Sequence, residues 1–399
     1  MREMIIAGLF SVLASGPVVA EVSPGAAAEF PACLARLKTE AINAGVDRVI
    51  VAKALDGIEI DDRLLAVSEA QPEFKTPIWD YLAFLVDEQR IVDGRTMLAE
   101  HDDLLRAIEA HFGVDRHVVT AVWGVETDYG KDSGRHYLPH ALANLTCLAE
   151  RRTKFWRGEL IEALTLVDRG DLALDKLYGS WAGAFGQTQF IPSTYARLAV
   201  DFDGDGRRDL VDSIPDALAS TANYLKRAGW QSGRPWMIEV KAPADYAGPV
   251  GRKQRLALDD WNARGIRRAD GAQLKGKART GLLLPAGPAG PGFLVFDNFD
   301  AIYAYNHAES YAIAISHLAD RLAGYPALRT PWPTDDPGLS RAERLELQEL
   351  LVAEGYDIGE VDGRVGPRTR AAVAEHEKKL GWPETGRAGR KIFKALKGD

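Results

Sequence analysis

The sequence predicts a mainly α protein (α+β), with a long helical portion, a small β-containing segment and a separate small helical domain at the C-terminal end. Three observations predict it. Apolar residues recur at helical spacing through most of the chain up to Ala228. Between Glu239 and Phe299 that spacing stops, Gly and Pro become frequent, and short apolar runs take over. A Pro-rich break then precedes Leu339 and isolates the final segment.

The elements follow in order. Arg2, an apolar stretch from Met4 to Leu13, and the small residues Val18-Val19-Ala20 before Glu21 predict an export signal over residues 1–20. No later stretch is apolar for long enough to span a bilayer. No cysteine directly follows the apolar stretch, so a lipoprotein anchor is not supported. Helical spacing marks Phe30 to Ala44, Arg48 to Asp56, Leu104 to Phe112, a run from Asp115 to Glu126, Phe155 to Val167, Pro192 to Val200 and Ile214 to Ala228. Gly45, Gly57, Gly113, Gly170 and Gly229 sit just past or between such runs, as helix stops do. Leu282-Leu283-Leu284 and Phe293-Leu294-Val295-Phe296 read as strands. Helical spacing returns from Ala308 to Leu322. Residues 326–338 read as a flexible linker, and residues 339–399 as a domain of two or three short helices.

The 399 residues carry a net charge of −8, which argues against wholesale nucleic-acid binding. Cys33 and Cys147 are the two cysteines. In an exported chain they can form one disulfide closing a long loop, with a stabilisation of about 4–5 kcal/mol. Two buried thiols are the alternative.

Glu126 is the candidate acid. It sits in Val122-Trp123-Gly124-Val125-Glu126-Thr127-Asp128-Tyr129-Gly130, a lone carboxylate among apolar and aromatic neighbours at a helix end. Loss of water disfavours a charged carboxylate and raises its pKa, and a carboxyl group kept protonated is what a glycosidic bond needs as proton donor. Asp128 is the obvious second carboxylate, but two positions along a helix points to another face. A second cluster, Ser180-Trp181-Ala182-Gly183-Ala184-Phe185-Gly186-Gln187-Thr188-Gln189-Phe190-Ile191-Pro192, mixes small residues, amides and aromatics. Amides suit sugar hydroxyl and acetamido groups, and aromatic faces suit sugar rings. A third pattern is Asp201-Phe202-Asp203-Gly204-Asp205-Gly206-Arg207, with oxygens at positions 1, 3 and 5, Gly at 6 and the Arg207 carbonyl at 7 of a calcium loop. Position 12 is Asp212 instead of the usual Glu. An Asp-Gly turn without an ion is the alternative. His136 and His140 are four residues apart, but Pro139 between them argues against a regular helix and hence against a zinc pair.

Together, Gly124 to Gly130, Ser180 to Pro192 and Asp201 to Gly206 resemble, in this order, the lytic murein transglycosylase B family, glycoside hydrolase family 103, with a lysozyme-like helical catalytic core. The resemblance spans about Phe30 to Tyr325, within a catalytic domain placed at residues 21–325. It implies that Glu126 is the only catalytic carboxylate. It implies a glycan site lined by Tyr129, Ser180, Gln187, Gln189, Tyr224, Tyr305, Asn306 and Tyr311, the last three from Tyr305-Asn306-His307-Ala308-Glu309-Ser310-Tyr311. At Thr188 the family often carries a bulkier residue. For the metal loop the resemblance implies that Asp216 closes a structural Ca2+ site with Asp201, Asp203, Asp205 and Arg207, with Asp209 and Asp212 as lesser candidates. No cofactor is implied for catalysis.

The last domain contains Leu347-Gln348, Gly355-Tyr356 and Asp362-Gly363-Arg364-Val365-Gly366-Pro367 before a helical run. It resembles the peptidoglycan-binding type 1 domain, with His376-Glu377 where that family has Phe-Gln. The implied activity is cleavage of the β-1,4 bond between N-acetylmuramic acid and N-acetylglucosamine, leaving 1,6-anhydro ends, with Glu126 as acid and then base. A hydrolytic muramidase and a non-catalytic wall-binding scaffold are the rivals. The expected setting is periplasmic and the expected state a monomer. The expected partners are peptidoglycan strands and proteins of cell-wall synthesis or remodelling.

Overall fold

The structure is a computed structural model and describes residues 23–65 and 76–398. The predicted export signal lies outside the described residues. Helices α1 (Pro24–Asn43), α2 (Arg48–Leu55), α3 (Ile78–Leu85), α4 (Glu88–Glu100), α5 (Asp102–Phe112) and α6 (Arg116–Thr127) open the chain. A two-residue strand β1 (His136–Tyr137) leads into α7 (Leu138–Leu148) and α8 (Thr153–Asp168), and β2 (Tyr178–Gly179) pairs back on β1. Then follow α9 (Pro192–Leu198) and α10 (Ile214–Arg227).

These helices bury two separate cores. One joins apolar residues of α3 to α6, including Ile91, Leu105, Val119 and Trp123, to those of α10 and a later helix. The other joins α1, α2, α7 and α8 to Phe185, Phe190 and Tyr195. Helix α10 lies between the two, giving Leu218, Ala219, Ala222 and Leu225 to the first core and Ala217 to the second. The disulfide Cys33–Cys147 ties α1 to α7.

The β-containing segment forms one antiparallel sheet in the order β4 (Gly251–Ala257), β6 (Arg279–Leu283), β7 (Gly292–Val295), β3 (Met237–Lys241), β5 (Arg267–Arg268), with α11 (Leu258–Ala263) between β4 and β5 in the chain. One face buries Val240, Leu282 and Leu294 around Trp261, whose Nε1 donates to the Thr280 carbonyl. The opposite alternation sends Leu283, Phe293 and Val295 into the first helical core. Helices α12 (Asp297–Asn306) and α13 (Glu309–Leu322) complete the portion that precedes the Pro-rich segment.

Residues 326–338 lack regular structure, but they do not hang free. Trp332 packs against Trp79 of α3, and Glu239 of β3 accepts the backbone N–H groups of Arg329 and Thr330. The expected flexible tether is therefore a seated strap. The last domain is α14 (Arg341–Ala353), α15 (Pro367–Lys379) and α16 (Arg390–Lys397) around Leu347, Leu351, Val373, Ile392 and Phe393. Ser340 and Glu343 form a capping box at the start of α14. The departure at Glu377 has a use: its carboxylate accepts from Thr385 and from the Gly386 backbone, fixing the turn before α16.

The helix expectations hold, with α1 beginning six residues before the expected Phe30, and among the described residues five helices escape them, the short α11 among them. α3 is apolar almost all round and α4 is mostly polar, so neither shows a clear stripe. α12 has too weak a stripe to read. Pro139 does not prevent a helix, but it marks where one starts, so no regular helix carries both His136 and His140. Pro139 lies in the first turn of α7, where its missing N–H has no partner to lose. His136 stands before that helix in β1, and the two histidines do not form a helical pair.

Candidate active site

Glu126 lies in the last turn of α6, half-buried, at the seam between the two helical cores. Tyr311, from the first turn of α13, donates its hydroxyl to Glu126 Oε1 at 2.5 Å. Tyr311 is 2% exposed. Burial, and then the Glu126 carboxylate, push its hydroxyl well above the ordinary tyrosine range, so it remains a donor. Tyr305 stacks beside Tyr311, with ring centroids 6.3 Å apart and planes 10° apart. The Tyr305 hydroxyl donates to the Thr188 carbonyl at 2.7 Å and so joins α12 to the 180–192 loop. Tyr224 of α10 supports it from behind at 4.8 Å and donates to the Ala304 carbonyl. The structure thus brings Glu126, Tyr224, Tyr305 and Tyr311 into one group.

Other expected site residues are placed differently. Tyr129 is 6% exposed, not a cleft residue. Its hydroxyl donates to the Arg90 carbonyl at 2.8 Å, and its ring sits against Trp123. Gly94 and Gly124 make room for it. A Cβ on Gly94 would lie 2.2 Å from the Tyr129 hydroxyl oxygen, and one on Gly124 would lie 2.6 Å from its ring. Tyr129 therefore pins α4 to α6.

Gln187 is a structural hub. Its Oε1 accepts from Trp123 Nε1 at 3.0 Å, its Nε2 donates to the Val211 carbonyl, and its own carbonyl accepts the Thr127 hydroxyl at 2.6 Å. The side chain named as a sugar ligand is thus spent on holding α6 to the 180–192 loop and to the end of the Asp-rich loop. Gln189 adopts φ +54° and donates to the Ser133 and Gly186 carbonyls. The Ser180 hydroxyl oxygen accepts from the Ala184 backbone, and Ser180 and Gln189 are both half-buried. Asn306 ends α12 and is exposed.

Asp128 does not face the acid as a partner. It adopts φ +52°, and its carboxylate meets Arg341 Nη1 at 2.6 Å and Arg90 Nε at 3.6 Å. No short-range signal in the sequence marks Arg90 or Arg341, because Arg341 comes from the last domain.

In the Asp-rich loop, carboxylate oxygens of Asp201, Asp203 and Asp205 lie within 4.8 Å of one another, all exposed. Asp216 is fully buried and braces the loop from behind, accepting from the backbone of Phe202 at 2.7 Å and of Asp209 at 2.8 Å. Burial raises its pKa. Asp209 accepts from the Val211 and Asp212 backbone, and Asp212 pairs with Lys176.

A cavity of about 790 Å³ opens at the other end of α6, beside Asp115, Trp236, His317 and Asp320. It contains none of the groups around Glu126.

A helical fold with one half-buried carboxyl group held by a tyrosine, among stacked aromatics, defines a lysozyme-like glycan-cleaving class. Residues 29–320 match the transglycosylase SLT domain and residues 340–396 match a peptidoglycan binding domain. The chain belongs to the transglycosylase SLT domain family and is a lytic transglycosylase. It is 32% identical over 278 residues to the membrane-bound lytic murein transglycosylase B of Escherichia coli strain K12, covering 68% of this chain and 75% of that protein. SltB3 from Pseudomonas aeruginosa, solved with NAG-NAM-pentapeptide, superposes with a TM-score of 0.73 at 40% identity, covering 92% of this chain and 99% of SltB3. SltB3 is also solved with NAG-anhNAM-pentapeptide. The Escherichia coli lytic transglycosylase Slt35, solved in complex with calcium, gives a TM-score of 0.65 at 28% identity, covering 77% of this chain and 95% of Slt35.

Proposed function

We propose that this enzyme cleaves peptidoglycan strands at the β-1,4 bond between N-acetylmuramic acid and N-acetylglucosamine, leaving 1,6-anhydro-muramic ends. The single observation that carries this reading is the 2.5 Å bond from Tyr311 to Glu126, beside an Asp128 that is committed to arginines. A paired-carboxylate mechanism would need Asp128 turned toward the acid.

Protonated Glu126 gives its proton to the bridging oxygen. The bond from that oxygen to C1 of the muramic residue breaks, and its electron pair leaves with the oxygen. The neighbouring acetamido group supports the positive charge left at C1. Glu126, now a carboxylate, takes the proton of the C6 hydroxyl, and that oxygen closes on C1. The acid is regenerated and no water is consumed. Tyr311 holds one carboxyl oxygen throughout, and its hydrogen bond strengthens when Glu126 carries charge. The ligands of SltB3 support the substrate class and the anhydro product.

The same reading places a structural Ca2+ in the Asp-rich loop, held by Asp201, Asp203 and Asp205. The three converging carboxylates fit a hard divalent cation. The ion would stiffen a loop whose far end, Leu210 and Val211, holds Gln187. The reading also places the enzyme in the periplasm. Glu126→Gln is expected to abolish release of fragments from purified sacculi while leaving sacculus binding intact. Near-normal release by that variant would defeat the assignment.

A further inference from the structure

We propose that Arg341, in the peptidoglycan-binding domain, is a positioning residue for Glu126, so that the domain sets the geometry of catalysis as well as supplying affinity for the wall. This rests on Glu126 being the acid.

The backbone directly after the acid is strained. Asp128 and Tyr129 are consecutive non-glycine residues in the left-handed region, at φ +52° and +60°. Such a pair is disfavoured for side chains with a Cβ and persists where surroundings hold it. Tyr129 is enforced by its own slot and by its bond to the Arg90 carbonyl. Asp128 caps the C-terminus of α6, its backbone N–H donating to the Gly124 carbonyl at 3.0 Å, and its side chain is held by charge. Arg341 Nη1 lies 2.6 Å from Asp128 Oδ2, and Arg341 Nε lies 2.8 Å from Asp87 Oδ2.

Arg90 cannot replace it. Its Nη1 is committed to the Phe84 and Leu85 carbonyls, and its Nε stands 3.6 Å from Asp128 Oδ1 without forming a hydrogen bond. Both arginine side chains face Asp128, and Arg341 also pairs with Asp87. Asp87 is itself the N-cap of α4, so its charge is already tied to the helix that Tyr129 anchors.

The same domain reaches one step further along the turn. Arg364 pairs with Asp132, whose backbone N–H donates to the Thr127 carbonyl at 2.9 Å. Thr127, between the acid and Asp128, is held from the opposite side by Gln187. The end of the catalytic helix is thus clamped between the 180–192 loop and the C-terminal domain. Without Arg341 the domain-side hold on Asp128 is gone, the left-handed turn relaxes, and the aim of Glu126 against Tyr311 loosens. A shift of about 1 Å in a reacting group can cost about a hundredfold in rate.

A merely adhesive contact predicts weaker wall binding, whereas a positioning contact predicts a slower chemical step. The test uses the full chain on a short soluble glycan of defined length, measuring kcat and KM separately, with sacculus binding and a thermal melt alongside. Arg341→Gln is expected to lower kcat about tenfold or more, with KM within about twofold. Arg341→Lys, which keeps a cation near Asp128, is expected to recover much of the loss. Asp128→Asn is expected to match Arg341→Gln, and the double variant to be no worse than either single one. Glu126→Gln on the same glycan separates the two claims. If it is active, the reading of the acid fails. If it is inactive while folded Arg341→Gln keeps kcat within about twofold, or if the losses in the double variant multiply, Arg341 is not a positioning residue.

Discussion

Tyr311→Phe isolates one hydrogen bond at the reacting carboxyl group. The hydroxyl is 2.5 Å from Glu126 Oε1 and the residue is 2% exposed, so solvent does not simply take its place. Phenylalanine keeps the ring, its stacking on Tyr305 at 6.3 Å and nearly all of its volume. What is lost is a donor that binds the carboxylate more strongly than the carboxylic acid. In the proposed mechanism Glu126 becomes a carboxylate as the glycosidic bond breaks, so the loss falls on the transition state more than on the bound substrate. A hydrogen bond to a charged group contributes about 1.5–3 kcal/mol, which corresponds to roughly a 10- to 150-fold fall in kcat. The assay is the initial rate of fragment release from a soluble glycan, with KM determined on the same preparation. KM is expected to stay within about twofold. A folded Tyr311→Phe enzyme with kcat within about twofold of the parent would show that this bond does not serve the chemistry.

Three further outcomes follow from other parts of the structure. Gly94→Ala places a methyl group 2.2 Å from the Tyr129 hydroxyl oxygen and 2.6 Å from Leu322 Cδ2, so it is expected to destabilise by about 1–3 kcal/mol; an unchanged denaturation midpoint would contradict the slot. Asp320 is pushed up to about 7, chiefly by burial and then by Asp115, while Trp236 donates to it and opposes the shift. Its stabilising contribution is full below the ordinary carboxylate value of 3.8 and is lost as pH rises toward 7. Asp320→Asn, which keeps an acceptor for Trp236, is therefore expected to gain stability relative to the parent between about pH 4 and pH 8, and parallel stability curves would refute it. Chelation is expected to lower the melting temperature and calcium to restore it, with Asp203→Asn blunting both effects; a melt indifferent to calcium would remove the ion from the account.

The grouping of Glu126 with Tyr305 and Tyr311 was legible because its signals are local. Glu126 follows a run of apolar residues, and Tyr305 and Tyr311 share one short motif. Local sequence does not tell a side chain facing a cleft from one facing the framework. Gln187 and Tyr129 carry the chemistry of sugar contacts, but the structure spends Gln187 on joining α6 to two loops and Tyr129 on joining α6 to α4. The ionic clamp on Asp128 was illegible for another reason. Arg341 meets Asp87 across 254 positions of sequence, and no periodicity encodes a contact at that distance. Helix α7 was hidden by Pro139, which breaks a helix in its interior and is harmless in its first turn. The linker was read correctly as irregular and wrongly as free, because Trp332 and Thr330 seat it on the catalytic domain.

That one carboxyl group cuts the strand without water is tested most directly by mass spectrometry of fragments released from purified sacculi. The parent enzyme is expected to yield muramic ends lighter by one water than reducing-end products, and Glu126→Gln is expected to yield no fragments. Reducing ends from the parent, or fragments of either kind from Glu126→Gln, would contradict the single-acid mechanism.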